Sequence, residues 1–85
     1  MKKVVIYTKP DCPYCADAKE LFSKKAVKYE EIQVDKDPNK LAEMVELSKR
    51  RSVPQIFINN KSIGGFEDLA KLATSGELDI LLKDE

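Results

Sequence analysis

The sequence contains no histidine and no tryptophan, and its 85 residues include only two cysteines and three glycines. A closed zinc site needs four ligands, so without histidine it would need carboxylates beside both cysteines. No apolar run approaches the roughly 20 residues that cross a bilayer. Lys and Arg together number 15, as do Asp and Glu, so no overall field attracts nucleic acid or an anionic membrane. We therefore expect no resident metal, no nucleic-acid partner and no membrane partner.

Length and composition indicate one small globular domain over residues 1–85, which we expect to be a monomer. The N-terminus runs directly into a strand-like segment and lacks the longer apolar stretch and cleavage site of a signal peptide. We therefore expect a cytoplasmic protein. In that compartment a disulfide is more often transient and catalytic than structural.

Hydrophobic periodicity predicts alternating strands and helices. Strands are predicted at residues 4–8, 29–34, 56–58 and 61–63, and helices at about 13–24, about 38–49, from about 69 to Gly76, and about 78–82. The first two strands should be parallel, joined by a right-handed crossover, and the last two should form a hairpin at Asn59-Asn60. This β-α-β-α-β-β-α-α order resembles the thioredoxin-like fold, an α/β fold with a four-stranded mixed sheet and helices on both faces.

The two cysteines, Cys12 and Cys15, stand three apart where the first strand gives way to the first helix. Cys12 precedes the helix, where unpaired N–H groups and the helix dipole favour a thiolate. Cys15 lies one turn inside and is flanked by Ala16 and Ala18, so we expect it to be buried and protonated. Cys12 is then the nucleophile, Cys15 the resolving thiol, and Cys12–Cys15 the redox-active disulfide. The alternative is an incidental pair of buried cysteines.

A proline, Pro54, stands at the entry to the third strand, preceded by Ser52 and Val53. A cis Val53-Pro54 bond would turn the chain sharply there and leave the N–H and C=O of Val53 free to pair with an extended peptide. The alternative is an ordinary trans proline that begins a strand.

The pair Gly64-Gly65 is followed by Phe66, Glu67 and Asp68 at the start of a helix. Glycines allow close approach of a backbone, and a helix N-terminus offers N–H groups to an anion. Glu67 and Asp68 can equally serve only to complement the helix dipole, and both interpretations stay open.

Three segments in this order, TKPDCPYC, SVPQIFINNKSIGG and GGFED, resemble the glutaredoxins, in particular the short bacterial dithiol type. The resemblance covers essentially the whole chain. It implies a glutathione-dependent thiol–disulfide oxidoreductase that reduces protein disulfides and glutathione mixed disulfides. It also implies no bound cofactor, glutathione as co-substrate, and disulfide-containing or glutathionylated proteins as partners.

The resemblance also implies where glutathione would bind. Its cysteine would pair with the backbone of Val53, and its γ-glutamyl end would lie at the turn of residues 65–68. Lys9 and Tyr14 would lie beside the sulfur and the glycine end. The implied glutathione-binding residues are Lys9, Tyr14, Ser52, Val53, Pro54, Gly65, Phe66, Glu67 and Asp68.

This sequence departs from the family pattern at two positions. Leu41 stands where relatives often supply a polar contact to the glycine carboxylate, so Lys9 and either Arg50 or Arg51 are expected to provide the positive charge there. Phe66 replaces a small residue or a cysteine of several relatives, so no third thiol is available.

Two alternative functions are compatible with the same fold. A glutaredoxin-like protein reduced by thioredoxin reductase often ends in a Trp-Ser-Gly-Phe-Arg type of tail, which this sequence lacks. A carrier that holds an iron–sulfur cluster between two chains, through Cys12 and glutathione, usually has Cys-Gly-Phe-Ser. Pro13 in this sequence disfavours such packing.

Overall fold

The computed structural model describes residues 2–83. Its strands are β1 (Val4–Thr8), β2 (Glu30–Gln33), β3 (Gln55–Ile58) and β4 (Lys61–Gly64), and its helices are α1 (Pro13–Lys24), α2 (Pro38–Ser48), α3 (Phe66–Ser75) and α4 (Glu77–Leu82). The predicted order is confirmed. The predicted domain covers residues 1–85; its terminal residues Met1, Asp84 and Glu85 lie outside the described residues. Within residues 2–83, no helix combines the length and the apolar character that crossing a membrane requires.

The four strands form one sheet in the order β2-β1-β3-β4. β1 pairs parallel to β2 and antiparallel to β3, and β3 pairs antiparallel to β4. Asn59 and Asn60 in the hairpin turn have φ values of 53° and 67°, the left-handed geometry of a type I′ turn, which asparagine tolerates better than most residues. The predicted mixed sheet and hairpin are confirmed.

Apolar side chains pack on both faces of the sheet because successive residues of β1 point to opposite sides. Ile6 belongs to a buried cluster with Phe22 of α1 and Leu69 of α3. Its neighbour Tyr7 belongs to a second buried cluster, with Met44 of α2. Helices therefore cover both faces, as predicted.

The pairing of the two central strands determines where the site forms. Tyr7 near the end of β1 pairs with Gln55 at the start of β3. The loop that leads into α1 therefore lies next to the segment that precedes β3. The last residue of β4, Gly64, pairs with Ile56, which brings the start of α3 to the same edge of the sheet.

Candidate active site

Cys12 is the N-cap residue of α1, with extended backbone angles, and Pro13 occupies the first turn. The Cys12 Sγ accepts a hydrogen bond of 3.1 Å from the backbone N–H of Cys15. This is the contact that an N-cap side chain makes with the third residue of a helix, here made by sulfur. A negative charge on this sulfur would lie at the positive end of the helix dipole.

Cys15 differs sharply from Cys12 in its surroundings. It is only 1% exposed, whereas Cys12 is half-buried, and both are free thiols. Burial raises the pKa of the Cys15 thiol to about 12, and the hydrogen bond with Cys12 adds to the increase, while a backbone hydrogen bond with Lys9 and the charge of Lys19 oppose it. Cys15 is therefore protonated at neutral pH, as predicted.

The backbone of Val53 lies beside the first thiol. The Cys12 thiol faces the Val53 carbonyl oxygen, with an S···O distance of 3.9 Å. The Val53-Pro54 bond is cis, as predicted. The fully buried Gln55 holds the preceding loop, because its amide donates to the Ser52 carbonyl at 2.9 Å and to the Ser52 hydroxyl at 3.3 Å. The sequence interpretation missed Gln55, although a polar residue in an apolar strand indicates such a role.

A cavity of about 350 Å³ extends from Val53 to the start of α3, and we call it the Val53 cavity. It brings together every predicted glutathione-binding residue except Lys9. Its lining residues are Tyr14, Arg50, Ser52, Val53, Pro54, Gly65, Phe66, Glu67, Asp68 and Lys71. Of these, Lys71 was not predicted; it follows Glu67 at i+4 on the helix, a spacing that places both on one face.

Lys9 lies in a second cavity, of about 440 Å³, which is lined by Cys12 and Cys15 themselves and by Lys19; we call it the Cys15 cavity. Tyr14, which like Lys9 was expected beside the sulfur and the glycine end of glutathione, lines the Val53 cavity together with Phe66. The two rings stack with centroids 6.2 Å apart and an interplanar angle of 23°. Phe66 thus offers an aromatic face at the start of α3 to the exposed ring of Tyr14.

Asp68 has two partners at the start of α3. Its Oδ2 accepts from the backbone N–H of Gly65 at 3.1 Å and from Arg50 Nη1 at 3.0 Å. Both contacts favour the charged form, so they hold the pKa of the Asp68 carboxyl below its usual value, with Arg50 the larger cause. Asp68 therefore stabilises the helix start and also presents a negative charge to the cavity.

Arg50 was one of two candidates for the end of the groove near Lys9, and the structure pairs it with Asp68 instead. Arg51, the other candidate, borders a shallow depression on α2 together with Leu41. Arg50 and Asp68 are 18 positions apart in the sequence, so nothing in the local sequence indicates this ion pair.

The conformation of Gly64 explains why glycine stands there. Its φ is +113°, and a Cβ at this position would collide with the Asp68 carboxylate. A larger residue would displace the group that pairs with Arg50 and caps α3.

Within residues 2–83, no cluster of three or more Cys, Asp or Glu side chains is arranged to hold a metal ion. Sulfur chemistry of the two thiols is what the arrangement supports. The fold and the thiol pair define a thiol–disulfide oxidoreductase of the thioredoxin-like class.

Comparison with known proteins identifies the family within this class. The family profile "Glutaredoxin" matches residues 4–63. The chain belongs to the glutaredoxin family. It is 52% identical to a glutaredoxin of Neisseria meningitidis serogroup B over 83 residues, covering 96% of this chain and 98% of that protein. It is 49% identical to glutaredoxin 3 of Escherichia coli K12, covering 98% of this chain and 100% of that protein.

Solved structures agree with this assignment. The solution structure of a glutaredoxin from Brucella melitensis matches with a TM-score of 0.86 and 48% identity, covering 98% of this chain and 90% of that one. The crystal structure of a buckwheat glutaredoxin–glutathione complex matches with a TM-score of 0.87 and 28% identity, covering 95% and 76% of the two chains.

Proposed function

We propose that this protein uses glutathione to reduce glutathione mixed disulfides and protein disulfides, with Cys12 as nucleophile and Cys15 as resolving thiol. One observation carries the proposal: the half-buried Cys12 sulfur sits at the N-cap of α1, while Cys15 one turn later is buried and protonated. The two thiols differ in the way that a nucleophile and a resolving group require.

Glutathione is the proposed co-substrate because the Val53 cavity suits an extended peptide with charged ends. The amide of Val53 has no hydrogen-bond partner among residues 2–83, and its carbonyl faces only the Cys12 thiol. An extended peptide can therefore pair with both groups and bring its own sulfur to Cys12. The buckwheat relative was solved as a complex with glutathione, which supports the same ligand here.

Charged groups suit the two ends of this peptide. Asp68 and the first N–H groups of α3 can bind the amine and carboxylate of the γ-glutamyl end. Lys9 can attract the carboxylate at the glycine end of glutathione. Leu41 carries no charge, but Arg51 borders the same depression as Leu41. Ser52 and Pro54 flank Val53 along the edge with which the peptide would pair. Tyr14 and Phe66 line an apolar side of the Val53 cavity.

Removal of glutathione from a protein needs one thiol. The Cys12 thiolate attacks the sulfur of the bound glutathione, the disulfide to the target protein breaks, and the target leaves as a thiolate that takes a proton. A second glutathione thiolate then attacks the Cys12-bound glutathione. Oxidised glutathione leaves, and Cys12 is restored.

Reduction of a protein disulfide uses both thiols. Cys12 attacks one sulfur and forms a mixed disulfide with the target. Cys15 then loses its proton and attacks the Cys12 sulfur, the bond to the target breaks, and the Cys12–Cys15 disulfide forms. The target is reduced by two electrons, and glutathione returns the enzyme to its dithiol form.

The test is a coupled assay on a glutathione mixed disulfide, run once with glutathione and glutathione reductase and once with thioredoxin reductase. We expect turnover in the first system and little in the second, with Cys12→Ser inactive in both. Turnover only with thioredoxin reductase would contradict the proposal. An absorbance spectrum of protein purified without oxygen, in the presence of glutathione, tests the cluster-carrier alternative, which predicts visible bands.

A further inference from the structure

Three side chains from three elements meet beside the Cys15 cavity, and the chemistry described above does not use them. Thr8, fully buried at the end of β1, donates from its Oγ1 to Glu31 Oε2 of β2 at 2.7 Å. The same carboxylate oxygen accepts from Lys19 Nζ of α1 at 3.0 Å. Lys19 is thereby held in one orientation where the end of the sheet meets α1.

The position of Lys19 relies on helical geometry as well as on this tether. It follows Cys15 at i+4 on α1, so the two residues lie on the same face of the helix, and both line the Cys15 cavity. Its side chain is 33% exposed and that of Glu31 28%, so the network is partly shielded from solvent. A charge held there acts on a buried neighbour more strongly than one on a mobile surface chain.

We propose that Lys19 is a positioning residue for the resolving step: its ammonium group, tethered by Glu31 and Thr8, stabilises the thiolate that Cys15 must become to attack the mixed disulfide on Cys12. This inference rests on the proposed role of Cys15. It assigns to Lys19 an effect on the second half of the reaction and none on the first.

The physical need for such a group follows from burial. Cys15 has a raised pKa, so only a small fraction is ionised at neutral pH, and any nearby positive charge increases that fraction. Among the groups around Cys15, Cys12 disfavours its ionisation, whereas a hydrogen bond with the Lys9 backbone and, to a smaller extent, the charge of Lys19 favour it. Lys9 and Asp11 also line the cavity, and Lys19 is the cation whose position the contacts with Glu31 fix.

The proton of Cys15 has a route out because its cavity is open to solvent water. When the Cys15 thiolate attacks Cys12, the sulfur–sulfur bond to the leaving group breaks, and that group departs as a thiolate which takes a proton from water. Lys19 keeps its own proton throughout, since the Glu31 carboxylate raises the pKa of its ammonium group. Its contribution is electrostatic.

The experiment is a stopped-flow reaction of the reduced protein with dithiobis(nitrobenzoate). Cys12 releases a first thionitrobenzoate in a phase that depends on reagent concentration. Closure by Cys15 releases a second one in a phase that does not. Lys19→Met should slow the second phase about two- to five-fold, the range for a partly exposed charge, move its pH profile upward, and leave the first phase unchanged.

Two variants control for structure. Lys19→Arg keeps the charge and should retain most of the closure rate. Lys24→Met removes an exposed lysine from the last turn of the same helix and should change neither phase. If Lys19→Met melts at a much lower temperature, Lys19→Gln, which can still donate to Glu31, is measured in its place.

An unchanged second phase in the neutral variant would overturn the inference, as would an equal slowing of both phases or failure of Lys19→Arg to restore the rate. Failure of the proposed function looks different. In that case the wild-type protein itself would release only a single thionitrobenzoate, because Cys15 would not close onto Cys12.

Discussion

The two cavities near Cys12 are lined by chemically different groups. The Val53 cavity is bordered by exposed backbone, an aromatic pair and charges of both signs, including the ion pair of Arg50 with Asp68. The Cys15 cavity contains Cys12, which is the proposed nucleophile, the buried Cys15 thiol and the tethered Lys19. The first is suited to recognition of an extended peptide and the second to sulfur chemistry.

This difference has a practical consequence. Changes on the Val53 side should alter substrate binding, whereas changes to Cys15 and Lys19 in the Cys15 cavity should alter how the mixed disulfide is resolved. Cys12 lies between the two, because it lines the Cys15 cavity while its sulfur faces the Val53 carbonyl.

Loss of Cys12 should abolish activity on every substrate. Cys12→Ser keeps the N-cap hydrogen bond, since serine is a good N-cap residue, but serine does not form disulfides. We expect no turnover of glutathione mixed disulfides or protein disulfides, with an unchanged melting temperature. The measurement is steady-state turnover beside a thermal melt, and residual activity above a few per cent would contradict the assignment.

Alkylation should separate the two thiols. Thiolate is the reactive form, and a buried thiol with a raised pKa holds very little of it at neutral pH. Limiting iodoacetamide should therefore label Cys12 almost completely before any label reaches Cys15, as read by peptide mass spectrometry. Denatured protein, in which both should react, is the control. Comparable labelling of the two in the native state would show that they are not differentiated.

Charge at the two ends of the proposed glutathione site, at Asp68 in the Val53 cavity and at Lys9 in the Cys15 cavity, should govern binding. Lys9→Ala and Asp68→Ala should each weaken binding of a glutathione mixed disulfide by about 0.5–2 kcal/mol, with the partly exposed Asp68 at the low end. The measurement is KM against kcat, and Lys36→Ala is the control because Lys36 is exposed and lines neither cavity. A fall in kcat with an unchanged KM for Asp68→Ala would break the division between the two cavities.

Asp68 should also link stability to pH by a small amount. Its folded-state pKa lies below the usual value, so its contribution to folding is fully present above about pH 3.9, the unfolded value. It is lost as pH falls through the lower folded-state value. The melting temperature of wild type should exceed that of Asp68→Asn at pH 7, and the gap should narrow below about pH 4. A gap that widens on acidification would contradict the ion pair.

Features that depend on neighbours in the chain could be predicted from sequence. The strand of residues 4–8, the proline in the first turn of α1 and the asparagine pair at the hairpin are each specified by local propensity. The N-cap position of Cys12 follows from the same local rules. Element ends differ by up to three residues, the largest difference being the start of α3 at Phe66 rather than at about 69. The second helix ends at Ser48 because Lys49 adopts a left-handed conformation with φ of 63°.

Contacts between residues of elements that are far apart in the sequence could not be predicted. Arg50 meets Asp68 and Tyr14 meets Phe66 only because α3 begins beside α1 and the loop before β3. The network of Thr8 with Glu31 and Lys19 likewise needs two strands and a helix in their final arrangement. The two thiols and most residues of the Val53 cavity could be identified from the sequence. The contacts between distant elements that surround them could not.

The most direct test of the account is the Cys15→Ser variant, assayed on two substrates in parallel. Removal of glutathione from a protein needs only Cys12, whereas reduction of a protein disulfide by the dithiol route needs both thiols. The account predicts that Cys15→Ser keeps substantial deglutathionylation and loses most protein-disulfide reduction. Loss of deglutathionylation as complete as in Cys12→Ser would contradict it.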